Sequence, residues 1–505
     1  MERSRNNGGF DVVIIGSGIG GLMCGALLSL NGYRVLILEK HHQIGGNLQT
    51  FKRKGVVFNS AMHFVGTMEK GQILHQVFKY LGILDQTGLE RLDRDQYERL
   101  YLSDREYLLA GGMEAHRERL LTYFPSEGAA IHAYLEKIEE IWNSTNVLNL
   151  QDFRNHLDAD TRYTQIDAFE FIDSLTDNHE LRALWGVNSA FYAGEPGKSP
   201  LITHAIIHYH YIQSAWKFSK GSDRLATALE HVIAQNGGEV RINSEVVRFI
   251  TNERRATAIE LRDGSMVKGD HFISSLHPAL TVKLVEPGVF RKAYVQRIQE
   301  LENTIGSFCL YIVLKKGKLL NINSNVNIAT GSDSWNPGTY FERPWPGACI
   351  LYTTPDQSNP GYAESMTISA YMKYEEVKQW ENTTVGKRGR DYTTFKRKRA
   401  ELLIEFADSR LKGLRDAIET YYTATPLTFR DYTGTPHGTV YGIMKDCRNA
   451  RYSYISTNTR IPNLFLTGQS SGVGLHGVLG VTLSALFTCE PLLDLGKLLK
   501  EIRDE

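Results

Sequence analysis

The sequence carries no excess charge of either sign, with 57 Lys and Arg against 57 Asp and Glu. No net field therefore draws phosphate backbones or acidic membranes to the chain as a whole, which counts against nucleic acid as a partner. The five cysteines, Cys24, Cys309, Cys349, Cys447 and Cys489, are scattered and show no CxxC spacing. That argues against a disulfide framework, a zinc knuckle or an iron–sulfur site, and the simplest setting is a reducing, cytoplasmic one. Uninterrupted apolar runs of about 18 residues are missing, so a membrane-spanning helix is not expected, while contact with one leaflet stays open. The opening MERSRNNGG has neither an apolar core nor a small-residue cleavage site, and no signal peptide is expected. His204 and His208 stand four apart, a spacing that metal sites use. There is no HExxH glutamate and no third ligand beside them, so no metal is expected.

What is present suffices for a deep buried site. A chain of 505 residues should form about two domains. Its 42% hydrophobic and 23% charged content is that of a soluble globular protein. Near the start, FDVVIIGSGIGGLMCGALLSLNGYRVLILEK opens with a fully apolar run, Val12 to Ile15, as a parallel strand covered on both faces requires. In a βαβ unit Gly16 permits the tight turn that follows, Gly18 lets backbone amides approach a pyrophosphate, and Gly21 lets the helix pack close to the sheet. A phosphate would sit at the helix N-terminus, where unpaired N–H groups and the dipole favour an anion. The helix continues through Leu22, Ala26, Leu27 and Leu30 and stops near Asn31–Gly32. The next strand, RVLIL, ends at Glu39, whose carboxylate is placed to accept hydrogen bonds from both hydroxyls of an adenosine ribose. A glycine motif alone is weak; strand, turn, helix, second strand and acid together predict a dinucleotide site of Gly16, Gly18, Gly20, Gly21, Glu39 and Lys40.

The residues beyond Glu39 separate FAD from NAD. In QIGGNLQTF the pair Gly45–Gly46, followed by Asn47, supplies a second close approach of backbone to the cofactor. That is expected where the pyrophosphate and ribityl chain of a long flavin cofactor continue past the first turn. In IPNLFLTGQSSGVGLHGVLGVTLSALFTCEPLL, Asn463 to Thr467 reads as another buried strand, Gly468 to Gly480 as a glycine-dense loop, and Val481 to Leu493 as the helix it opens. Gly468, Gln469, Gly477 and Val478 would then offer a second helix N-terminus to the ribityl hydroxyls or the pyrimidine edge. Distant segments that build one sheet imply an inserted domain between them. No second GxGxxG unit appears for an NAD(P)H domain, so electrons would come from an external carrier or from NAD(P)H visiting the flavin face.

In order along the chain, DVVIIGSGIGGL…LEK…IGGNLQTF, GVVFNSAMHFVG, KGSDRLATALEHVIAQNGGEVRINSEVVRFI with GDHFISSLHP, and NLFLTGQSSGVGLHGVLG resemble the FAD-dependent phytoene desaturase, carotenoid isomerase and retinol saturase family. The histidine in AMHFVG and the LTGQ opening bring the resemblance nearest to the retinol saturase branch. Related flavoenzymes often carry an arginine where Asn47 stands and an acid where Gln469 stands; a neutral Gln can still bond a ribityl hydroxyl or phosphate. The resemblance implies an α/β fold, with a Rossmann-type FAD-binding domain of the amine oxidase and phytoene desaturase kind and an interleaved α+β substrate domain. The FAD-binding parts would be 9–67, 218–285 and 460–505, and the substrate parts 68–217 and 286–459. It further implies a backbone contact to the adenine end at Val246–Val247 and a noncovalent FAD. The substrate would be an apolar, carotenoid- or retinoid-like lipid and the reaction a C=C reduction, with carotenoid desaturation or cis–trans isomerisation as alternatives and an amine oxidase-like activity as a lesser one. The electron donor or acceptor is left unidentified.

ATAIELRDGSMVKGDHFISSLHP predicts a hairpin around Asp263–Gly264 and an apolar strand ending in Pro278. LWGVNSAFYAGEPGKSPLITHAIIHYHYIQSAWKFS crowds together Trp185, Phe191, Tyr192, Tyr209, Tyr211 and Trp216, an excess suited to an apolar tunnel or to ordinary helix packing. GKRGRDYTTFKRKRAELL, Gly386 to Leu403, is a basic helix that fits an anionic lipid surface or a solvated face. TPLTFRDYTGTPHGTVYGIMKD, Thr425 to Asp446, reads as a long interdomain loop. Reducing an isolated C=C bond adds hydride to one carbon and a proton to the other, so an acid must stand by the flavin. The candidates are His63, His476 and, as a weaker donor, Tyr441; the imidazoles qualify because they ordinarily titrate near neutral pH.

Overall fold

The computed structural model describes residues 9–151, 162–331, 336, 340 and 344–505. Its first sheet is built on the strand Phe10–Ile15, which pairs in parallel with Val35–Leu38 on one side and Met266–Ser274 on the other. Glu239–Arg241 lies outside Val35–Leu38, and Leu464–Leu466 lies against Met266–Ser274, both again parallel. The first half of Met266–Ser274 also runs antiparallel to Arg255–Leu261, which pairs in turn with Val246–Asn252.

Strand alternation gives this sheet two cores. Val12, Ile14, Val35 and Ile37 join the helices Ile19–Leu30, Asp223–Gln235 and Gly477–Cys489 on one face. Val13, Ile15, Leu36 and Leu38 face the other way, onto Phe249, Phe272, Phe290, Ile298, Ile443 and Ile455. Burial on both sides is why these strands are apolar at every position.

Three local expectations shift. The strand expected to reach Pro278 stops at Ser274, and Pro278 instead opens the helix Pro278–Leu284, capped by the His277 ring. Proline lacks the N–H that a first helical residue leaves unused, and its fixed φ suits that position. The helix expected at Val481 to Leu493 runs Gly477–Cys489. Pro491 has no N–H with which to carry the helical bonding on, so the helix closes at Cys489 although Glu490 still has helical φ −50° and ψ −43°. Thr425 to Asp446 is not a continuous loop: it holds the helix Pro426–Thr433, opened by a reciprocal capping pair of Thr425 and Thr428 and closed at Gly434, φ +73°. Around Asp263–Gly264 the expected hairpin turn forms, with Gly264 at φ +83°.

The second sheet has the strand order Ile418–Ala424, Gly306–Leu314, Asn359–Met372, Ala348–Asp356, Asn325–Ala329, Glu98–Leu102, Arg105–Leu109. All its pairs are antiparallel except Asn325–Ala329 with Glu98–Leu102. Phe308, Leu310, Ile312, Met366 and Ile368 pack with Leu403, Ile404 and Ala407 of the basic helix Gly389–Asp408. The opposite face of that sheet, with Ser307, Cys309 and Tyr311 on one strand, is the one turned toward the site. A three-stranded sheet of Phe64–Gly66, Ala215–Phe218 and Leu89–Arg91 carries His63 at its edge. Among the described residues no helix is long and apolar enough to cross a membrane.

Candidate active site

Four parallel strands of the first sheet end at the same cleft, of about 520 Å³, with Gly16, Glu39, Ser275 and Thr467 on its walls just past each strand. A crevice outside the carboxyl ends of parallel strands is where such sheets bind ligands. Two helix N-termini open onto it. Gly18 precedes Ile19–Leu30 and His476 precedes Gly477–Cys489, and neither of these N-cap residues caps its helix with its own side chain, the Gly21 N–H alone going to Ser275 Oγ. Gly468 sits at φ +106°, and a Cβ added there would meet nothing closer than 4.0 Å. Free N–H groups in two directions and glycines with open space in front of them fit the pyrophosphate and hydroxyl-bearing chain of a dinucleotide.

Of the residues predicted to hold a cofactor, Gly16, Gly18, Gly20, Glu39, Lys40, Gly46, Asn47, Val246, Gly468, Gln469, Gly477 and Val478 line this cleft. Gly21, Gly45 and Val247 are not among its lining residues. Gly21 does the packing work expected of it: an added Cβ would lie 2.1 Å from the Gly16 carbonyl oxygen, and its N–H donates to Ser275 Oγ at 3.2 Å. Gly45 stands one layer back at φ +106°, its N–H donating to the Ser17 carbonyl at 3.0 Å. Val247 follows Val246 where the pairing with Arg255–Leu261 shifts register, and as the extra residue of that irregularity it has no cross-strand partner.

Glu39 does more than the sequence suggests. One carboxylate oxygen accepts the Ser17 N–H at 2.9 Å and the Ser17 hydroxyl at 2.6 Å, and the other accepts the His41 N–H at 2.9 Å. This buried carboxylate ties the glycine turn to the segment after the second strand. A carboxylate has about four acceptor positions, so about one remains for a ligand hydroxyl.

A second cavity, of about 200 Å³, adjoins the cleft, and Asn47, Met62, Thr433, Gln469, Gly477 and Val478 line both. Most of its walls are apolar, with Ile206, Ile207 and Tyr211 on one side and Trp345 and Ile350 on another. His63, His476 and Tyr441 all face it, which brings the three predicted catalytic residues together. His63 stacks on Tyr352 with ring centroids 3.6 Å apart, and the rings of His476 and Tyr441 are 5.4 Å apart. The ground on which the imidazoles were chosen does not hold. Burial keeps His63 well below the usual histidine range, and burial with the Lys445 charge pushes His476 down to about 3. Both are neutral rings at neutral pH. Tyr441 donates its hydroxyl to the Ala190 carbonyl at 2.9 Å, and burial raises its pKa far above the ordinary value.

Of the crowded aromatics, Phe191 and Tyr211 line the cavity, whereas Trp185 stacks on Tyr134 at 4.2 Å and Trp142 packs on Tyr209. His204 and His208 turn away from the cavity; the Tyr134 hydroxyl lies 2.7 Å from His204 Nε2 and also bonds His208 Nδ1. Among the described residues no three His, Cys, Asp or Glu side chains gather into a metal-binding group. His210, on the same helix, does line the cavity and accepts the Gly66 N–H at 2.9 Å.

Sequence reasoning missed Tyr352, Met62 and Lys445. Tyr352 was hidden in a strand without a motif. Lys445 is buried, its ammonium 3.4 Å from the carbonyl oxygens of Ser453 and Ser470, and burial with the nearby Arg297 charge lowers its pKa to about 7. Its one visible signal is a lysine set among apolar residues in YGIMKD.

The chain is similar to all-trans-retinol 13,14-reductase of Danio rerio, 25% identical over 95% of this chain and 85% of that one. It is also similar to a 4,4'-diapophytoene desaturase (4,4'-diapolycopene-forming) of Methylomonas sp, 26% identical over 60% of this chain and 61% of that one. In fold it matches the crystal structure of an oxidoreductase from Methanosarcina mazei, with TM-score 0.64, 17% identity, and 95% and 99% of the two chains covered. The family model for flavin containing amine oxidoreductase matches residues 19–492, from the helix Ile19–Leu30 to just past Gly477–Cys489, and so takes in both walls of the cleft. On that match the chain belongs to the flavin-containing amine oxidoreductase family.

Proposed function

We propose that the protein is an FAD-dependent oxidoreductase that reduces a C=C bond of a long apolar polyene, retinoid in kind, with FAD held noncovalently. The observation that carries this is the mostly apolar cavity joined to the nucleotide cleft through six shared residues. The similarity to retinol reductases along almost the whole chain supports it. Bound flavin would supply the hydride exchange. The two helix N-termini and Glu39 bind and orient its phosphates and ribose, with Lys40, Gly46, Asn47 and the backbone at Val246 completing the contacts and Gly45 supporting the turn from behind. Asn47, Met62, Gln469 and Val478 form the passage where cofactor and substrate meet. His63 and His476, as neutral rings, orient the polyene, and the Tyr441 hydroxyl supplies the proton. Because burial keeps all three uncharged, they place no uncompensated charge in a cavity that must admit hydrocarbon.

The same reading takes 9–67, 218–285 and 460–505 as FAD-binding parts and 68–217 and 286–459 as substrate parts. The two separate sheets support it, with Phe290, Ile298, Ile443 and Ile455 packing onto the first sheet at the joins. NAD(P)H or another external carrier donates the electrons. The exposed Arg390, Arg397 and Lys398 of the basic helix make peripheral contact with an anionic membrane on the cytoplasmic side. The similarity to a diapophytoene desaturase favours a second reading, desaturation.

The test is anaerobic. Photoreduced, FAD-loaded protein is given all-trans-retinol, oxidised protein is given phytoene, and products are separated by mass. A gain of two hydrogens on retinol is the expected result. Loss of two hydrogens from phytoene moves the protein to the second reading, and no change in either polyene refutes both.

A further inference from the structure

One wall of the apolar cavity is polar. Ser307 and Cys309 alternate along Gly306–Leu314, and Cys309 is paired in register with Ser369 on the neighbouring strand Asn359–Met372. All three line the cavity. Ser307 Oγ lies 3.1 Å from Ser369 Oγ and 3.1 Å from the Ala370 carbonyl oxygen, and Cys309 Sγ lies 2.9 Å from Ser369 Oγ. One arrangement satisfies every proton: the thiol donates to Ser369, Ser369 donates to Ser307, and Ser307 donates to the Ala370 carbonyl. The donors are then spent; Ser369 also bonds the Tyr352 hydroxyl, so the spare lone pair is the one on Ser307, which lines the cavity. Three small polar groups on a wall that valine or alanine would fill more cheaply need a partner, because buried hydroxyls lose their hydration.

We propose that Ser307, Ser369 and Cys309 form a subsite for the hydroxyl group of an alcohol-bearing polyene. The proposal rests on the polyene reading above and narrows it. The spare acceptor on Ser307 suits a ligand that brings its own O–H proton. A hydrocarbon leaves it unpaired, and an aldehyde, which only accepts, must compete for donors already committed. A carboxylate is disfavoured further, since no Lys or Arg lines the cavity among the described residues. The wall also carries Tyr352, which is stacked on His63, so an anchored alcohol would lie beside the residues at the passage.

FAD-loaded wild type, Ser307→Ala and Ser369→Ala are titrated anaerobically, with protein fluorescence as the readout. The ligands are all-trans-retinol, the hydrocarbon lacking its hydroxyl, and retinoic acid. The wild type is expected to bind retinol about three- to tenfold more tightly than the hydrocarbon, the yield of one neutral hydrogen bond, and retinoic acid more weakly than retinol. Each serine variant should lose most of that preference while keeping its flavin. Equal wild-type binding of alcohol and hydrocarbon overturns the subsite and leaves the polyene reading standing, as does a preference that survives both substitutions. If the wild type binds no polyene, the polyene reading fails and the subsite with it. Should either variant fold poorly, the wild-type comparison of ligands decides by itself.

Discussion

Glu39→Gln is nearly isosteric, yet it should weaken flavin binding strongly. The carboxylate takes three protein donors, at 2.6, 2.9 and 2.9 Å, on both of its oxygens. An amide offers one acceptor oxygen. If that oxygen keeps the two Ser17 bonds, the amide nitrogen is set against the His41 N–H, donor against donor; turned around, it opposes both Ser17 donors. In the empty cleft the side chain escapes by rotating toward water. A dinucleotide filling the cleft removes that escape and reimposes the conflict. The cost of one buried donor left unpaired is about 1–3 kcal/mol, or roughly 5- to 150-fold in an equilibrium constant. The dissociation constant for FAD, measured by quenching of flavin fluorescence on titration into apoprotein, should rise by that factor. Ser17→Ala, which removes the 2.6 Å bond and the 3.3 Å bond from the Gly45 N–H but leaves Glu39 its charge and both backbone donors, should have a smaller effect. An FAD affinity for Glu39→Gln within twofold of wild type would refute the reasoning, because it would mean the turn needs neither the charge nor the second acceptor.

Three further outcomes are expected. Gly468→Ala, at φ +106° in the cleft, should fold with about 1–3 kcal/mol of local strain and bind FAD several-fold more weakly; wild-type affinity by the same titration would contradict the demand for glycine there. Burial lowers His116 and His204 to about 4 and His210 to about 3, so the folded chain binds fewer protons than the unfolded one below the ordinary histidine pKa of 6.5. That stability is present above about pH 6.5 and is lost as pH falls toward 4, so denaturant midpoints should drop between pH 7.5 and 5, and an unchanged midpoint would count against it. Lys445 acts in the same direction at higher pH: with its pKa down to about 7, its burial costs stability below pH 7, and that cost is relieved as pH rises toward the ordinary lysine value. Thermal unfolding of Lys445→Met between pH 7 and 10 should show a flatter rise than wild type, and an identical slope would contradict it.

What was legible in the sequence was local. The first strand, the turn at Gly16 and Gly18, and the acid at Glu39 lie within one short βαβ stretch, where apolar period, glycine and spacing all speak at once. The terminal helix is legible too, but its ends are not, because Gly477 and Gly480 have the composition of a loop while lying inside the helix, and the apolar pattern runs on past its stop at Cys489. The helix Pro426–Thr433 was overlooked because Thr, Pro and Gly mark helix ends as well as loops. The cavity wall was out of reach for a different reason. Cys309 and Ser369 meet only through strand register, and nothing near either residue announces the other. The burial that silences His63 and His476 as titrating groups comes from tertiary packing, and it was invisible for the same reason.

The double use of Met266–Ser274 bears on how the molecule is made. Its first half finds its antiparallel partner a few residues away and its second half has Phe10–Ile15 on one edge, but the other edge of that second half waits for Leu464–Leu466, about 190 residues further along the chain. During synthesis the first glycine turn, Glu39 and their strands emerge early and remain half a binding site, lacking the wall that carries Gly468 and Gly477. Contacts so distant in sequence are late and slow to form, because closure entropy must be overcome before they contribute. Cofactor capture is therefore one of the last events in the birth of this protein, and a chain interrupted anywhere before residue 464 leaves the cleft with one wall missing.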